Sequence, residues 1–192
     1  MTRTGKNIMI VGVGGQGTLL ASRILGGAML EKGYDVKLSE VHGMSQRGGS
    51  VVTYVRYGDC VHSPVIQKGE ADIILAFEEL EAARALPCLK PDGLLVVNTR
   101  QIDPMPVITG KAQYPDGLIG KIEGKGVQVL AVDALTLAQQ AGNSKAVNVV
   151  LIGALAKHLG LEQQFWLDII GKTVPPKFVS LNQKAFALGY QA

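Results

Sequence analysis

Apolar residues recur along the chain in two alternating rhythms. Asn7 to Gly12 reads NIMIVG, an almost unbroken apolar run ending at glycine, the pattern of a parallel strand buried on both faces. From Thr18 the period lengthens. Leu20, Ile24 and Ala28 recur at four-residue spacing beside Ala21 and Leu25 until Gly33 supplies a stop, which predicts a helix. Tyr34 to Val41 predicts a second strand and Ser50 to Tyr57 a third, rich in β-branched and aromatic residues. Gly58-Asp59 before Cys60-Val61-His62 has the spacing of a hairpin turn, so an antiparallel pair is expected there. Strand Asp72–Phe77, a helix over Glu78–Leu86, the turn Lys90-Pro91-Asp92-Gly93 and strand Leu94–Asn98 continue the rhythm. Residues Asp103 to Gly126, rich in Pro and Gly, predict a loop excursion or small hairpin. A strand over Val127–Val132 is followed by helices only, over Ala134–Ala141, Ala146–Leu159, Glu162–Ile170 and Lys177–Leu188. The sum is an α/β fold: an open, doubly wound, mostly parallel sheet with an antiparallel hairpin and a helical C-terminal end. With 192 residues and no internal repeat, residues 1–192 are expected to form one domain.

Composition narrows the function classes. At 47% hydrophobic and 18% charged the chain is ordinary soluble protein, and its net charge of +3 comes from scattered basic residues, a poor footprint for nucleic acid. Arg3 and Lys6 ahead of Ile8–Val13 mimic a signal peptide, but Gly14 and Gly15 cut the apolar run. No segment reaches the ~18 apolar residues of a membrane span. Two cysteines, Cys60 and Cys88, cannot ligate an iron–sulfur cluster or build a disulfide framework. A cytoplasmic, reducing compartment is expected. The 24 glycines are the excess, and they cluster where tight turns or close backbone approach are needed.

Gly12-Val13-Gly14-Gly15-Gln16-Gly17 satisfies GxGxxG with a predicted strand before it and a predicted helix after it. Glycines let the backbone come close to a ligand, and a helix starting near Gly17 offers N–H groups and its positive dipole end to a phosphate or carboxylate. Glu40, 23 residues after Gly17, stands where a ribose-binding acid would lie in a dinucleotide site. The alternative is that these glycines only permit close helix–strand packing.

The segment Glu40-Val41-His42-Gly43-Met44-Ser45-Gln46-Arg47-Gly48-Gly49 places acid, imidazole, hydroxyl, amide and guanidinium groups around three glycines just after a strand. Such loops carry function. As a strand-to-strand connection it should lie at the carboxyl edge of the sheet and share a crevice with Gly14–Gly17.

These two motifs, GVGGQG at Gly12–Gly17 and EVHGMSQRGGSV at Glu40–Val51, resemble the gamma-type subunit of the 2-oxoacid:ferredoxin oxidoreductases. ADIILAFEELEAAR at Ala71–Arg84, Asn148 and Pro176-Lys177 extend the resemblance over nearly the whole chain. Pyruvate-type subunits carry a Gly-Pro-Glu-like stretch where this chain has Gly43-Met44-Ser45-Gln46, which favours the branch of the indolepyruvate ferredoxin oxidoreductase beta subunit. The resemblance implies oxidative decarboxylation of a 2-oxoacid, such as an arylpyruvate or pyruvate, to an acyl-CoA, with electrons passed to ferredoxin. It also implies a large partner subunit holding thiamine diphosphate and iron–sulfur clusters. This chain has neither a cysteine quartet nor the Gly-Asp-Gly…Asn signature of a thiamine diphosphate site, so it is expected to be inactive alone and to carry no catalytic residue or metal, and as a subunit built to dock it is expected to form a homodimer when isolated. Its share of the site is Gly12, Gly14, Gly15, Gln16 and Gly17 on coenzyme A, with Glu40, His42, Gly43, Met44, Ser45, Gln46, Arg47, Gly48 and Gly49 toward the substrate and partner.

Other residues carry plainer expectations. His62 and His158 are read as structural, Cys60 and Cys88 as buried or half-buried small hydrophobes, and Trp166, Phe165 and Phe178 as core packing. Glu78, Glu79 and Glu81 complement a helix dipole. Three rival functions remain open on residues alone: a stand-alone NAD or FAD enzyme, an ATP-using enzyme and a scaffold module.

Overall fold

A computed structural model of the chain describes residues 5–42 and 49–192, with the side chain of His42 outside that set. Six strands form one sheet: β1 (Lys6–Val13), β2 (Asp35–His42), β3 (Ser50–Gly58), β4 (Ala71–Ala76), β5 (Leu89–Asn98) and β6 (Gln128–Val132), in the order β2-β3-β1-β4-β5-β6. β1, β4, β5 and β6 run parallel, while β3 lies antiparallel to both β1 and β2. One reversed strand therefore sits inside a sheet whose other five strands share a direction.

Alternation along β1 divides the core. Ile8 and Ile10 face one way, packing with α1 (Thr18–Glu31), α5 (Ala134–Ala141), α6 (Val147–Ala156), α7 (Gln163–Thr173) and α8 (Val179–Gln191). Met9 and Val11 face the other way, onto α2 (Glu79–Ala85) and α4 (Leu118–Glu123). Helices cover both faces, which is why the central strands read as unbroken apolar runs. Each fully buried residue such as Ile10 or Leu75 contributes about 1.5–3 kcal/mol of transfer free energy.

α6 is buried along all ten residues, so it lacks a polar face. It meets α8 at backbone distance. A Cβ on Gly153 would lie 2.2 Å from the Phe186 carbonyl oxygen, and one on Gly189 would lie 1.9 Å from that of Val150.

The antiparallel partner expected over Cys60–His62 does not form. β3 finds its partners in β1 and β2 instead, and residues 59–63 leave the sheet in a loop. The turn expected at Lys90–Gly93 lies inside β5, where the pairing with β4 slips between Ala71 and Ile73 and leaves extra residues on β5. Residues 103–126 hold two short helices, α3 (Met105–Ile108) and α4, rather than a bare loop or hairpin. Ile122 of α4 reaches the core beside α2, and that burial stabilises the turn. Phe178 is 42% exposed, with Lys177 Nζ 4.9 Å above its ring, and so is not core packing. Cys60 is exposed and only Cys88 is half-buried.

Candidate functional site

The sheet changes winding direction between β1 and β4. From β1 the chain crosses by α1 toward β2, whereas β4, β5 and β6 extend the other way. The carboxyl ends of strands at such a switch point open a crevice that ligands occupy in α/β proteins. The glycine loop lies there, and so does Gly49 at the end of the second motif.

The glycine loop leaves β1 at Val13 and returns on itself. Gln16 turns inward: its Oε1 accepts from the Val13 N–H at 2.6 Å and its Nε2 donates to the Phe77 carbonyl at 3.0 Å. Only glycine fits at position 12, because a Cβ there would meet Gln16 Oε1 at 2.6 Å and Phe77 Cβ at 3.0 Å. Gly15 (φ +92°) and Gly17 (φ +82°) adopt left-handed backbone. Gly17 precedes α1, and among the described residues no side chain caps this N-terminus and no acid stands in its first turn. The N–H groups of Thr18 and Leu19 lack intrahelical acceptors by geometry. Around Gly15, a Cβ would find nothing within 4 Å. The loop is shaped by internal bonds and leaves backbone and dipole available to an anion.

A second set of amides fixes the crevice floor. The Phe77 carbonyl also accepts from Asn98 Nδ2 at 3.2 Å, and Asn98 Oδ1 accepts from the Ala134 N–H at the start of α5, also at 3.2 Å. Amide bonds thus run from β1 through β4 to β5 and α5. Asn148, opening α6, donates to the Gly17 carbonyl at 3.2 Å and joins the buried helix to the loop. The sequence pointed to Asn148 only through the family resemblance, and to Asn98 only as the end of a strand. A single buried amide has no periodicity to betray it.

The two motifs touch. Gly14 N–H donates to the Gly49 carbonyl at 2.9 Å, and Val13 pairs with Ser50 in the sheet. Ser50 Oγ donates to Glu81 Oε2 at 2.5 Å, and Arg84 Nη1 donates to Glu81 Oε1 at 2.5 Å. Glu40 points to α1, where Ser22 Oγ donates to its carboxylate at 3.1 Å, and it lies in register with Thr53 and Ile10 two strands from the glycine loop. Gly43, Met44, Ser45, Gln46, Arg47 and Gly48 lie outside the described residues, as does the side chain of His42.

Sequence also undervalued the acids after β4. Glu78, Glu79 and Glu81 are all buried, beyond the half-exposed state a surface helix start would give them. Glu78 caps α2 through the Glu81 N–H (2.9 Å), accepts from the Ile102 N–H (3.1 Å) and takes a short bond from the Tyr114 hydroxyl. That hydroxyl accepts from Leu80 N–H at 3.0 Å. Burial, and then the Glu78 carboxylate, push the Tyr114 phenol above its ordinary range. Glu79 accepts from Gln101 Nε2 at 3.0 Å. These acids clip the 100–114 stretch beside the crevice. Their signal was the unbroken apolar strand ahead of them, which carries its following residues into the interior.

Among the described residues no group of three or more His, Cys, Asp or Glu is placed to hold a metal ion. Residues 7–192 match the family described as pyruvate ferredoxin/flavodoxin oxidoreductase. The chain is 47% identical over 191 residues to the indolepyruvate oxidoreductase subunit IorB of Thermococcus kodakarensis, covering 97% of this chain and 95% of that one. Its fold resembles the keto/oxoacid ferredoxin oxidoreductase gamma subunit of Geobacter sulfurreducens, with a TM-score of 0.72, 25% identity, and coverage of 97% and 96% of the two chains. It also resembles, in fold alone, part of the 2-oxoglutarate:ferredoxin oxidoreductase of Magnetococcus marinus solved with 2-oxoglutarate, coenzyme A and succinyl-CoA, with a TM-score of 0.72, 18% identity, and coverage of 98% of this chain and 31% of that one.

Proposed function

The chain belongs to the pyruvate ferredoxin/flavodoxin oxidoreductase family, and on that premise we propose that its crevice supplies part of the coenzyme A and substrate site of a 2-oxoacid:ferredoxin oxidoreductase. It is a small subunit of such an enzyme. The 2-oxoacid we assign is an arylpyruvate of the indolepyruvate kind, on the strength of the 47% identity to an indolepyruvate oxidoreductase subunit. The carrying observation is the Gly14 N–H to Gly49 carbonyl bond, which ties the glycine loop to the end of the second motif and supports a site shared between them.

Coenzyme A is an anion with a long flexible arm, and the residues fit such a group: an uncapped helix start, left-handed glycines and open space at Gly15. Gly14, Gly15 and Gly17 would hold its phosphates by backbone N–H groups, with Gly12 and Gln16 keeping the loop in shape. Arg47, with His42, Ser45 and Gln46, would orient the 2-oxoacid or coenzyme A by charge and hydrogen bonds. The coenzyme A bound in the Magnetococcus enzyme supports this reading at the level of fold. Two cysteines in all cannot ligate an iron–sulfur cluster, and the sequence lacks the Gly-Asp-Gly…Asn signature of a thiamine diphosphate site; a large partner subunit would hold both groups and pass electrons to ferredoxin. In this reading the 192 residues act as one domain, self-associate as a homodimer without the partner, and work in the cytoplasm. Among the described residues no helix is long and apolar enough to cross a membrane.

The test is steady-state kinetics of the reconstituted complex carrying Arg47→Ala. A charge-assisted contact is worth about 1.5–3 kcal/mol, so kcat/KM for coenzyme A or the 2-oxoacid should fall about tenfold to a hundredfold. Arg47→Lys should rescue only in part, since an ammonium lacks the planar fork. Unchanged parameters for both substrates would overturn the assignment.

A further inference from the structure

At the opposite end of the sheet from the glycine loop, a cleft of about 410 Å³ opens between the start of β1 and the loop that follows β3. Its lining includes Asn7, Arg56, Tyr57, Cys60, His62 and Ser63. We propose that this cleft is a thiol-modification site in which Cys60 exchanges with small anionic disulfides, His62 managing its proton and Arg56 attracting the reagent.

The arrangement follows from how the loop is pinned. Val61 is buried, and its N–H donates to Asp35 Oδ2 at 2.8 Å. With Val61 turned in, its neighbours Cys60 and His62 are both turned out, and Cys60 Sγ lies 3.5 Å from His62 Nε2. Both residues are exposed, so reagent can reach the sulfur. A thiol with an imidazole nitrogen in hydrogen-bond reach can hand over its proton and react as thiolate. Arg56 stands in the same cleft, its Nε donating to Asn7 Oδ1 at 3.0 Å and its Nη1 to the Val65 carbonyl at 2.7 Å. These bonds fix a guanidinium, a positive charge that never titrates away, in the cleft that the thiol also lines.

Cys88 supplies a reference inside the same molecule. It sits half-buried on the turn before β5, packed against the apolar cluster of α2 and α4, and among the described residues it has no imidazole partner. The difference between the two thiols is therefore environment alone.

The exchange balances without a further reactant. The Cys60 thiolate attacks one sulfur of a low-molecular-weight disulfide RS–SR, forming the Cys60 S–S bond as the RS–SR bond breaks. The departing RS⁻ takes a proton from the His62 imidazolium. Cys60 and one RS are joined as the mixed disulfide, and the other RS leaves reduced as thiol. A second thiol reverses the step.

The experiment is stopped-flow reaction of the purified chain, and of the chain assembled with its partner subunit, with 5,5′-dithiobis(2-nitrobenzoate), an anionic disulfide, at pH 7. Peptide mass spectrometry after partial reaction assigns each thiol. Cys60 is expected to react at least about tenfold faster than Cys88. His62→Gln should lower the Cys60 rate about tenfold and leave that of Cys88 unchanged, which also reports that the variant is folded. A neutral dipyridyl disulfide should lose part of the preference for Cys60, because it carries nothing for Arg56 to attract, and glutathione disulfide should give a mixed disulfide at Cys60. Equal rates for the two cysteines, no effect of His62→Gln, or protection of Cys60 by the assembled partner would each overturn the proposal.

Discussion

Removing one amide from the crevice floor should weaken the whole fold by an amount that depends on the other. Gln16→Met keeps the length of the side chain and discards its hydrogen-bonding groups. The Val13 N–H then loses its 2.6 Å acceptor, but the Phe77 carbonyl keeps the Asn98 donor. An orphaned buried donor costs about 1–3 kcal/mol, and a half-satisfied carbonyl much less, so a loss of about 2 kcal/mol is expected. Asn98→Ala likewise strands the Ala134 N–H while leaving Gln16 on the carbonyl, at similar cost. The double variant leaves the carbonyl bare in the interior, and this adds a further penalty of about 1–3 kcal/mol beyond the sum of the singles. Urea unfolding followed by Trp166, the chain's one tryptophan and fully buried, measures all four species. Additivity within about 0.3 kcal/mol would refute the shared-carbonyl argument, because independent sites add that closely.

Gly153→Ala should lower stability by about 1–3 kcal/mol or more, since its Cβ would meet the Phe186 carbonyl at 2.2 Å between backbones that cannot both yield; wild-type urea midpoints would contradict this. Asp133→Ala removes the carboxylate that caps α5 and should cost about 1 kcal/mol at neutral pH. Bonds from the Thr136 hydroxyl and then the Thr136 N–H hold that carboxyl below its usual range, so the cap's contribution is present above the ordinary aspartate value and is lost as pH falls through the depressed one. The gap between wild type and variant should close in acid, and a gap independent of pH would count against the cap. Tyr114 keeps its proton in the fold after the unfolded chain has released it, so its contribution is intact below about pH 10 and declines above it. Tyr114→Phe should flatten that alkaline decline in urea midpoint, and parallel curves would dismiss the effect. Leu30, Leu38, Met105 and Ile108 are exposed, and the isolated chain should run as a dimer in light scattering, with a strictly monomeric mass the contrary result.

The strands and their direction of winding were readable because both faces of the sheet are covered, so β1 and β4 appear as apolar runs with glycine or acid at their ends. The placement of β3 was not. Ser50–Tyr57 reads as a strand in isolation, but its choice of β1 and β2 over Cys60–His62 rests on pairings between residues as distant as Asn7 and Arg56. The two short helices in residues 103–126 escaped notice because four- and six-residue helices carry too little periodicity to register. In the site, the glycines announced themselves through spacing and context. The inward turn of Gln16 did not, because a glutamine beside glycines looks the same whether it binds a ligand or its own backbone.

The reversed strand separates two jobs that most α/β sheets combine. A parallel neighbour of β1 would have to be reached by a crossover helix, and any change in that connection would disturb packing on one whole face. Here β2 ends and β3 begins at the same edge, so residues 43–49 join two adjacent strands. One end is anchored at Gly49 by the Gly14 N–H, and the other continues directly from β2. In the proposed reading, where this segment orients the 2-oxoacid, such an enzyme would be retuned by exchanging a connection between two adjacent strands rather than a crossover helix.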